Sequence, residues 1–357
     1  MLFFYGREEN KMVLIKNISC DARVNVALRP TVKEMAVTSN MSEKRERTLY
    51  NMFYDHGPGR GTMLSLPFDQ LIEHGIGHLF YWERSADPRA VIDLANKGPF
   101  SALVLSIGQA EKYRGLINNI PLIVKLDGHF SVGKQVENDR HSTLSSIERA
   151  LNAKADAVGF TFYIGGKETE QDAERCSELT WQAHKADLPV FMWAYARGPL
   201  PELTGTDNLY WCAQGISIGE SIGVDIVKQK FPMPPKEEKR KAYFESLQKG
   251  GYFQKMMPDV GKLLELEPEN PEDVPYDLHV KRLAFMAAVA PNTLKIISGG
   301  PKTDNEEGLL KILKAVMDSG NEGQIVGRNL WGRPVEEALA LSKRMADLMR
   351  SPEYARK

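Results

Sequence analysis

The stretch Gly223-Val224-Asp225-Ile226-Val227-Lys228-Gln229-Lys230 places two lysines directly after a short apolar run. The run predicts a buried parallel strand, on which Lys228 and Lys230 face the same side because side chains alternate. Desolvation or a neighbouring cation lowers the pKa of a lysine, and a neutral lysine attacks carbonyl carbon. Lys228 is therefore a candidate Schiff-base nucleophile, with Lys230 as the neighbouring cation. The alternative is that both side chains lie at the wet end of the strand and extend into solvent.

Short apolar runs of this kind recur from residue 63 onward, separated by helical patterns such as 88–95 and 144–153. Strand–helix alternation predicts parallel strands with crossover helices, and eight units over roughly 250 residues match an α/β fold of the (β/α)8 TIM barrel type. A doubly wound open sheet is the rival fold. The predicted strands are Met63–Phe68, Ala102–Ser106, Pro121–Leu126, Ala157–Phe162, Pro189–Trp193, Val224–Lys228, Leu294–Ile297 and Gly323–Val326.

The composition is typical of a soluble cytoplasmic enzyme. The chain has 357 residues, 42% of them hydrophobic, and a net charge of -1, which argues against a nucleic acid or a membrane surface as the main partner. No apolar run approaches the roughly 18 residues of a spanning helix, and the charged N-terminus does not resemble a signal peptide. Cys20, Cys176 and Cys212 lie far apart, which indicates reduced thiols and no disulfide framework.

Two segments fall outside the strand–helix repeat. Residues 1–50 form an N-terminal extension that could cover the bottom of the barrel or mediate oligomer contacts. The interval from Lys228 to Ser298, about 70 residues, is too long for one crossover helix. We therefore predict a single barrel domain over residues 51–350, with an insertion at about 231–290 after the sixth strand. The insertion would lie on the catalytic face, as a lid or an oligomer contact.

Polar side chains follow several of the predicted strands at their carboxyl ends, which meet over one mouth of a TIM barrel. The first strand ends in Asp69, the third carries Lys125, and the fifth ends in Trp193 and Tyr195. With the two lysines of the sixth strand, these residues bring an acid, a phenol, an indole and amines to one place. The sequence therefore predicts a catalytic and substrate-binding site at this mouth.

The last two predicted strands are followed by loops that could bind phosphate. Ser298-Gly299-Gly300 follows the seventh strand and Gly327-Arg328-Asn329 the eighth, and phosphate sites in these barrels are commonly built there. Glycine lets backbone N–H groups turn toward an anion, and Arg328 adds a guanidinium. The motif is not a P-loop, since no GxxxxGK[ST] is present. The alternative is two ordinary tight turns.

A metal site is not expected. His74 and His78 stand four residues apart, as in zinc proteases, but glycines interrupt the helix and the HExxH order is absent. The other histidines form no ligand spacing. We expect no metal and no cofactor.

The strand ends together resemble those of the archaeal-type class I fructose-bisphosphate aldolases, in the superfamily of Schiff-base barrels that includes deoxyribose-phosphate aldolase. The resemblance covers about residues 60–345, and it is the ordered set that is specific. The pieces that carry it are Leu66–Gln70 with Glu73-His74-Gly75, Ala110–Tyr113, Val124–Leu126, Ala157–Gly159, Trp193–Tyr195, Asp225–Lys230, Ser298–Thr303 and Val326–Asn329.

The resemblance implies that Lys228 is the Schiff-base lysine, Tyr195 the proton-transferring tyrosine, Asp69 the first-strand acid and Trp193 a pocket residue. It implies reversible cleavage of fructose 1,6-bisphosphate, in glycolysis and gluconeogenesis, without a metal. It also implies a ring-like homo-oligomer, often a decamer. The tryptophan favours this substrate over that of the related branch that makes an aromatic-precursor sugar.

The chain departs from the family at Leu71, where glycine is usual, at 78–84, at Lys302 and in the long insertion. These departures leave the substrate more open than the chemistry. One alternative is a related Schiff-base aldolase or thiolase acting on another phosphorylated ketose or a dione. An alternative of another class is a non-catalytic phosphate-binding barrel.

Overall fold

The computed structural model describes residues 18–77, 80–130, 142–248, 260–269 and 274–356. Eight parallel strands close into a barrel in which each strand pairs with its neighbours in sequence, and Met63 of the first pairs with Gly323 of the last. This closure confirms the (β/α)8 prediction and excludes the open sheet. The strands are β1 Met63–Phe68, β2 Ala102–Ser106, β3 Leu122–Lys125, β4 Ala157–Ile164, β5 Val190–Ala196, β6 Ile226–Gln229, β7 Leu294–Ser298 and β8 Gly323–Ile325.

Helices surround the barrel and cover the outward faces of its strands. The helix Pro88–Lys97 shows how local sequence sets their bounds: the Asp87 side chain accepts the Arg89 N–H, and proline occupies the first turn. The α-helices are Ala22–Ala27, Val32–Ser39, Glu43–Tyr50, Leu71–His74, Pro88–Lys97, Ile107–Tyr113, Ile147–Asn152, Thr169–Lys185, Pro199–Thr204, Leu209–Ile222, Glu237–Gln248, Val260–Glu265, Tyr276–Val289, Glu306–Asp318, Arg328–Trp331 and Val335–Met349. No helix among the described residues is long and apolar enough to cross a membrane.

The N-terminal extension closes the bottom of the barrel, where the strands begin. The helix Glu43–Tyr50 continues as a π-helical turn over Asn51–Asp55. The side chains of Val32, Met35 and Leu49 in the extension are at most 4% exposed, and with Met52 and Phe53 of the adjoining turn they join the apolar cluster that fills the barrel interior. The part of the extension at 1–17 lies outside the described residues. Of the two roles considered for the extension, the described part performs the covering role.

The segment between β6 and β7 contains three described helices, Glu237–Gln248, Val260–Glu265 and Tyr276–Val289. The last packs its buried face on the main core, as a crossover helix does, so the additional chain precedes it. A buried ion pair joins Arg282 to Glu267 at 3.1 Å, and Arg282 also donates to the Pro232 carbonyl at 2.7 Å. The inserted helices are thereby attached to the chain leaving β6. Residues 249–259 and 270–273 of the predicted insertion lie outside the described residues.

Candidate active site at the barrel mouth

Strand register brings the predicted site residues to one level of the barrel. Trp193 on β5 pairs with Lys228 on β6, and Tyr195 pairs with Tyr163 on β4. The Nζ atom of Lys228 lies 5.6 Å from the ring centroid of Trp193 and 5.4 Å from that of Tyr195. Three of the residues predicted at the ends of two neighbouring strands therefore meet in the structure.

Lys228 combines partial access from the mouth with a largely desolvated amine. Burial lowers the pKa of Lys228 to about 8, Asp69 opposes this effect, and Lys125 reinforces it. Desolvation penalises the ammonium form, and a nearby cation does so as well. Compared with an ordinary lysine, a much larger fraction of this amine is neutral near pH 7, and the neutral amine is the nucleophile.

Lys125 lies at the centre of a buried group of carboxylates. Its Nζ forms a hydrogen-bonded ion pair with Glu73 and lies 3.8 Å from Asp69 Oδ2 and 4.0 Å from Asp127 Oδ1. Burial alone would lower the pKa of Lys125, but the three carboxylates outweigh it and raise the pKa. Lys125 is therefore a fixed cation beside Lys228, its Nζ 5.8 Å from the same Trp193 ring.

Lys230 occupies a different position from the one we expected. Its Nζ pairs with Asp207 Oδ1 at 2.5 Å, and it lies 5.5 Å from the Tyr195 ring centroid. The cations that lower the pKa of Lys228 are Lys125 and, to a smaller extent, Arg328. The i, i+2 spacing places both lysines at the mouth, but Lys230 forms an ion pair with Asp207, which lies 23 residues earlier in the chain.

Two phenols, Tyr195 and its register partner Tyr163, lie at the barrel mouth. Burial raises the pKa of both Tyr195 and Tyr163, and the Glu73 carboxylate adds to each shift. Both phenols therefore stay protonated at neutral pH and can donate a hydrogen bond or a proton. The guanidinium of Arg197 lies 5.5 Å from the Tyr163 ring and 5.8 Å from the Tyr195 ring.

The Trp193 indole is held in the barrel interior and is 2% exposed. A glycine is required opposite it: a Cβ at Gly159 would lie 2.1 Å from the indole ring. Among the described residues, the indole N–H has no hydrogen-bond partner. Trp193 thus supplies an apolar wall next to both Lys125 and Lys228 and keeps one donor available.

The two loops predicted to bind phosphate lie side by side. Asn329 joins them, since its Nδ2 donates to the carbonyls of Gly299 at 2.9 Å and Pro301 at 2.8 Å. A Cβ at Gly299 would lie 2.9 Å from the Val326 side chain, so a larger residue at this position would displace that side chain. Gly300 has φ +73°, which glycine adopts without strain.

Arg328 begins the short helix Arg328–Trp331 directly after Gly327, so the first N–H groups of that turn have no intrahelical acceptor. Arg328 is also close enough to influence the pKa of Lys228. Ser298 ends β7 beside this turn. The loops therefore offer amides, a hydroxyl and a guanidinium near the reactive amine.

Sequence reasoning missed Glu73 and Asp207 as members of the site. Glu73 was recognisable in principle, because it follows Asp69 by only four residues and lies in the short helix Leu71–His74 directly after β1. Asp207 carried no such signal. It lies in the loop before the helix Leu209–Ile222 and meets Lys230 only in the folded chain.

The described part of the chain contains no cluster of three or more His, Cys, Asp or Glu side chains arranged to hold a metal ion. His78, the second member of the histidine pair, lies outside the described residues. The chemistry available to the described side chains is nucleophilic attack by an amine, proton transfer by a phenol or carboxylate, and anion binding.

Comparison with known proteins agrees with this chemistry. A model of the DeoC/LacD family of aldolases matches residues 63–333. The chain is 28% identical over 293 residues to the class 1 fructose-bisphosphate aldolase of Thermoproteus tenax. The aligned part covers 81% of this chain and 90% of that protein. The family match at 63–333 covers β1 through β8 and includes both loops predicted to bind phosphate.

Solved structures give the same assignment of fold. An archaeal fructose-1,6-bisphosphate aldolase, with its catalytic lysine covalently bound to the carbinolamine intermediate of the substrate, superposes with a TM-score of 0.66 at 26% identity, covering 85% of this chain and 99% of that one. A fructose-bisphosphate aldolase from Slackia heliotrinireducens superposes with a TM-score of 0.71 at 19% identity, covering 90% and 91%. The second similarity concerns the fold alone.

Proposed function

The chain belongs to the DeoC/LacD family of aldolases, and we propose that it is a class I fructose-bisphosphate aldolase. As such, the enzyme cleaves fructose 1,6-bisphosphate reversibly to dihydroxyacetone phosphate and glyceraldehyde 3-phosphate. The observation that carries the proposal is the position of Lys228, whose amine has a pKa of about 8 and lies beside Trp193 and Tyr195. The Thermoproteus and archaeal relatives support the choice of substrate.

Lys228 is the nucleophile. Its neutral amine adds to the C2 carbonyl of the sugar to form a carbinolamine, and loss of water gives an iminium, which withdraws electrons from the adjacent C3–C4 bond. A base takes the proton of the C4 hydroxyl, the C3–C4 bond breaks, and glyceraldehyde 3-phosphate leaves. The bonding electrons form an enamine, which is protonated at C3 and then hydrolysed to dihydroxyacetone phosphate and free Lys228.

We assign the proton transfer at the substrate carbon to Tyr195, whose raised pKa keeps the phenol protonated and able to donate. Asp69, near Lys125 in the carboxylate cluster, is assigned to holding the carbinolamine or substrate hydroxyls. General acid–base assistance of this kind contributes about 10²–10⁴-fold to a rate. Lys125 and the indole N–H of Trp193 are assigned to substrate oxygens.

The loops after β7 and β8 are assigned to the phosphate next to the ketone, which we place against the N–H groups of Gly300 and Gly327. The Gly299 N–H donates to the Ile325 carbonyl at 3.0 Å, so Gly299 is assigned to shaping the loop beside this phosphate. Ser298 and Arg328 add a hydroxyl and a guanidinium. Binding the phosphate here fixes the carbonyl over Lys228, so that attack becomes effectively intramolecular. Lys230 is assigned to substrate binding as well, at a greater distance from the reacting carbon.

A substrate panel tests this function. Purified protein would be assayed for triose phosphate release from fructose 1,6-bisphosphate, from other phosphorylated ketoses and from a dione. The expected result is the highest kcat/KM with fructose 1,6-bisphosphate. Preferred turnover of another compound would reassign the enzyme within the Schiff-base aldolases, and no turnover of any would favour the non-catalytic barrel.

Three features remain proposals: the oligomer rests on the resemblance, and the location and the domain division rest on the sequence pattern. We infer a cytoplasmic enzyme that forms a ring-like homo-oligomer, for which a decamer is the expected size. We also retain the division into an extension over 1–50 and one barrel domain over 51–350. The continuous helical segment from Glu43 to Asp55 crosses that boundary. Light scattering after gel filtration measures the assembly directly.

A further inference from the structure

The ion pair between Lys230 and Asp207 is not used by the chemistry described above. The Nζ of Lys230 lies 2.5 Å from Asp207 Oδ1, and the two side chains are 27% and 37% exposed. The pair therefore stands at the rim of the site, in contact with solvent, and not among the buried carboxylates around Lys125.

Lys230 is close to the reacting amine but farther toward the mouth. Lys228 and Lys230 are two residues apart at the end of β6, and their Nζ atoms lie 5.4 and 5.5 Å from the same Tyr195 ring centroid. Arg197 lies 5.8 Å from that ring. Two cations, Lys230 and Arg197, thus flank Tyr195 beyond the nucleophile.

The shape of the substrate calls for a cation in this region. In fructose 1,6-bisphosphate the first phosphate is one carbon from the C2 that Lys228 attacks, and the loops with Ser298 and Arg328 are placed to hold it. The second phosphate is four carbons from C2, so it must be held by other groups. Lys230 follows Lys228 by two residues at the end of β6, which places its ammonium group within reach of the second phosphate.

We propose that Asp207 is a specificity-determining residue, whose ion pair with Lys230 is displaced when the second phosphate of a bisphosphorylated substrate binds. Lys230 then changes partner from the carboxylate to the phosphate. This inference rests on the proposed function, because it presumes a sugar carrying two phosphates.

The exchange is physically reasonable for this pair. An ion pair in contact with water contributes little stability, since solvent screens its attraction. A phosphate monoester carries between one and two negative charges near neutral pH and offers three oxygens, so it attracts an ammonium group more strongly than one carboxylate does. A substrate with one phosphate has no second phosphate to compete with Asp207, so the ion pair between Lys230 and Asp207 stays intact.

Asp207 is fixed by its own loop, while the lysine stem can move. The Asp207 carbonyl accepts the Met233 N–H at 2.8 Å, and its Oδ1 accepts the Thr206 hydroxyl at 3.1 Å. The next residue, Asn208, caps the following helix by accepting the Trp211 N–H at 3.0 Å. Displacement therefore requires only rotation of the Lys230 side chain, with the carboxylate left in place.

The inference predicts opposite effects for the two partners. Asp207→Asn keeps the shape of the side chain but removes its charge, so it should raise the ratio of kcat/KM for fructose 1,6-bisphosphate to kcat/KM for fructose 1-phosphate about threefold. Lys230→Met keeps the stem but removes the ammonium group, so it should lower that ratio at least tenfold. The effects should appear mainly in KM and not in kcat.

The experiment measures both substrates with the wild type, the two single variants and the double variant. Lys241→Met, an exposed lysine on the helix Glu237–Gln248, is the matched control and should leave the ratio at the wild-type value. In the Lys230→Met background, Asp207→Asn should produce no further change. A ratio that rises equally in that background would show that Asp207 does not act through Lys230, and would overturn the inference.

The outcomes separate this inference from the function on which it rests. If the wild type cleaves neither ketose, the proposed function has failed. If it cleaves both but the two single variants leave the ratio unchanged, the function stands and the role of Asp207 is wrong. Circular dichroism identifies a variant that does not fold. Asp207→Ser then replaces Asp207→Asn, and Lys230→Gln replaces Lys230→Met, with the same expected directions.

Discussion

Trp193 and Lys228 are register partners on adjacent strands, and the amine lies 5.6 Å from the centroid of the indole ring. The indole also has Lys125 Nζ at 5.8 Å. An apolar ring next to both amines withholds water from them. Three carboxylates within 4.0 Å compensate Lys125 for this loss, whereas burial outweighs the effect of Asp69 on Lys228. The structure thereby keeps one lysine charged and makes its neighbour a nucleophile.

Lys125→Met should move the acid limb of the pH–rate profile to higher pH. The substitution removes a cation that lowers the pKa of Lys228 and leaves Asp69 and Glu73, which raise it, without their partner. Both changes favour protonated Lys228, so its pKa should rise above about 8 and activity at pH 7 should fall roughly tenfold or more. The measurement is kcat/KM from pH 6 to 10.

Lys125→Arg serves as the control for this variant, because it keeps the charge. Its profile should keep the wild-type acid limb even if the larger group slows turnover. An acid limb that stays in place in Lys125→Met, or moves to lower pH, would show that Lys125 does not govern the protonation of Lys228.

Tyr195→Phe should separate imine formation from carbon–carbon cleavage. The phenol lies near the Lys228 amine and stays protonated because burial raises its pKa. Without the phenol, kcat should fall about 10²–10⁴-fold, while trapping of dihydroxyacetone phosphate on the protein should persist. Steady-state kinetics and intact mass measure the two properties. A loss of trapping together with turnover would assign Tyr195 to an earlier step.

Phe53→Ala should destabilise the barrel and leave its catalysis intact. Phe53 is 1% exposed and packs into the interior cluster from below, far from the mouth. Truncating a buried phenylalanine costs about 3–5 kcal/mol, which urea unfolding would measure, whereas KM should stay the same. Val37→Ala, on the extension and 79% exposed, should change stability by less than about 0.5 kcal/mol. Equal stability of the two variants would show that the helical segment from Glu43 to Asp55 does not stabilise the barrel from below.

Much of the fold was predictable because a parallel barrel strand is buried on both faces. Runs such as 102–105 and 157–160 contain no polar side chain, and the structure has a strand at each of the eight predicted positions. Strand ends were less predictable: β5 continues to Ala196, past the predicted end at Trp193, because it pairs along its full length with the long strand β4. Such an extension depends on the neighbouring strand and not on the local pattern.

The site was predictable only as far as strand direction determines it. Alternation places Lys228 and Lys230 on one side of β6, but it does not say that Lys230 meets Asp207 or that Lys125 meets Glu73. Those contacts join residues 23 and 52 positions apart, and they depend on how loops fold over the mouth. The lowered pKa of Lys228 therefore could not be derived from the sequence, because it depends on these contacts.

The most direct measurement is borohydride trapping of the wild-type protein with dihydroxyacetone phosphate, followed by intact mass and peptide mapping. We expect one substrate-sized adduct on Lys228 of the wild type and none on the folded Lys228→Met variant. The Lys241→Met variant should be trapped like the wild type. An adduct on Lys230, or no adduct on the folded wild-type protein, would contradict the assignment of Lys228 as the Schiff-base nucleophile.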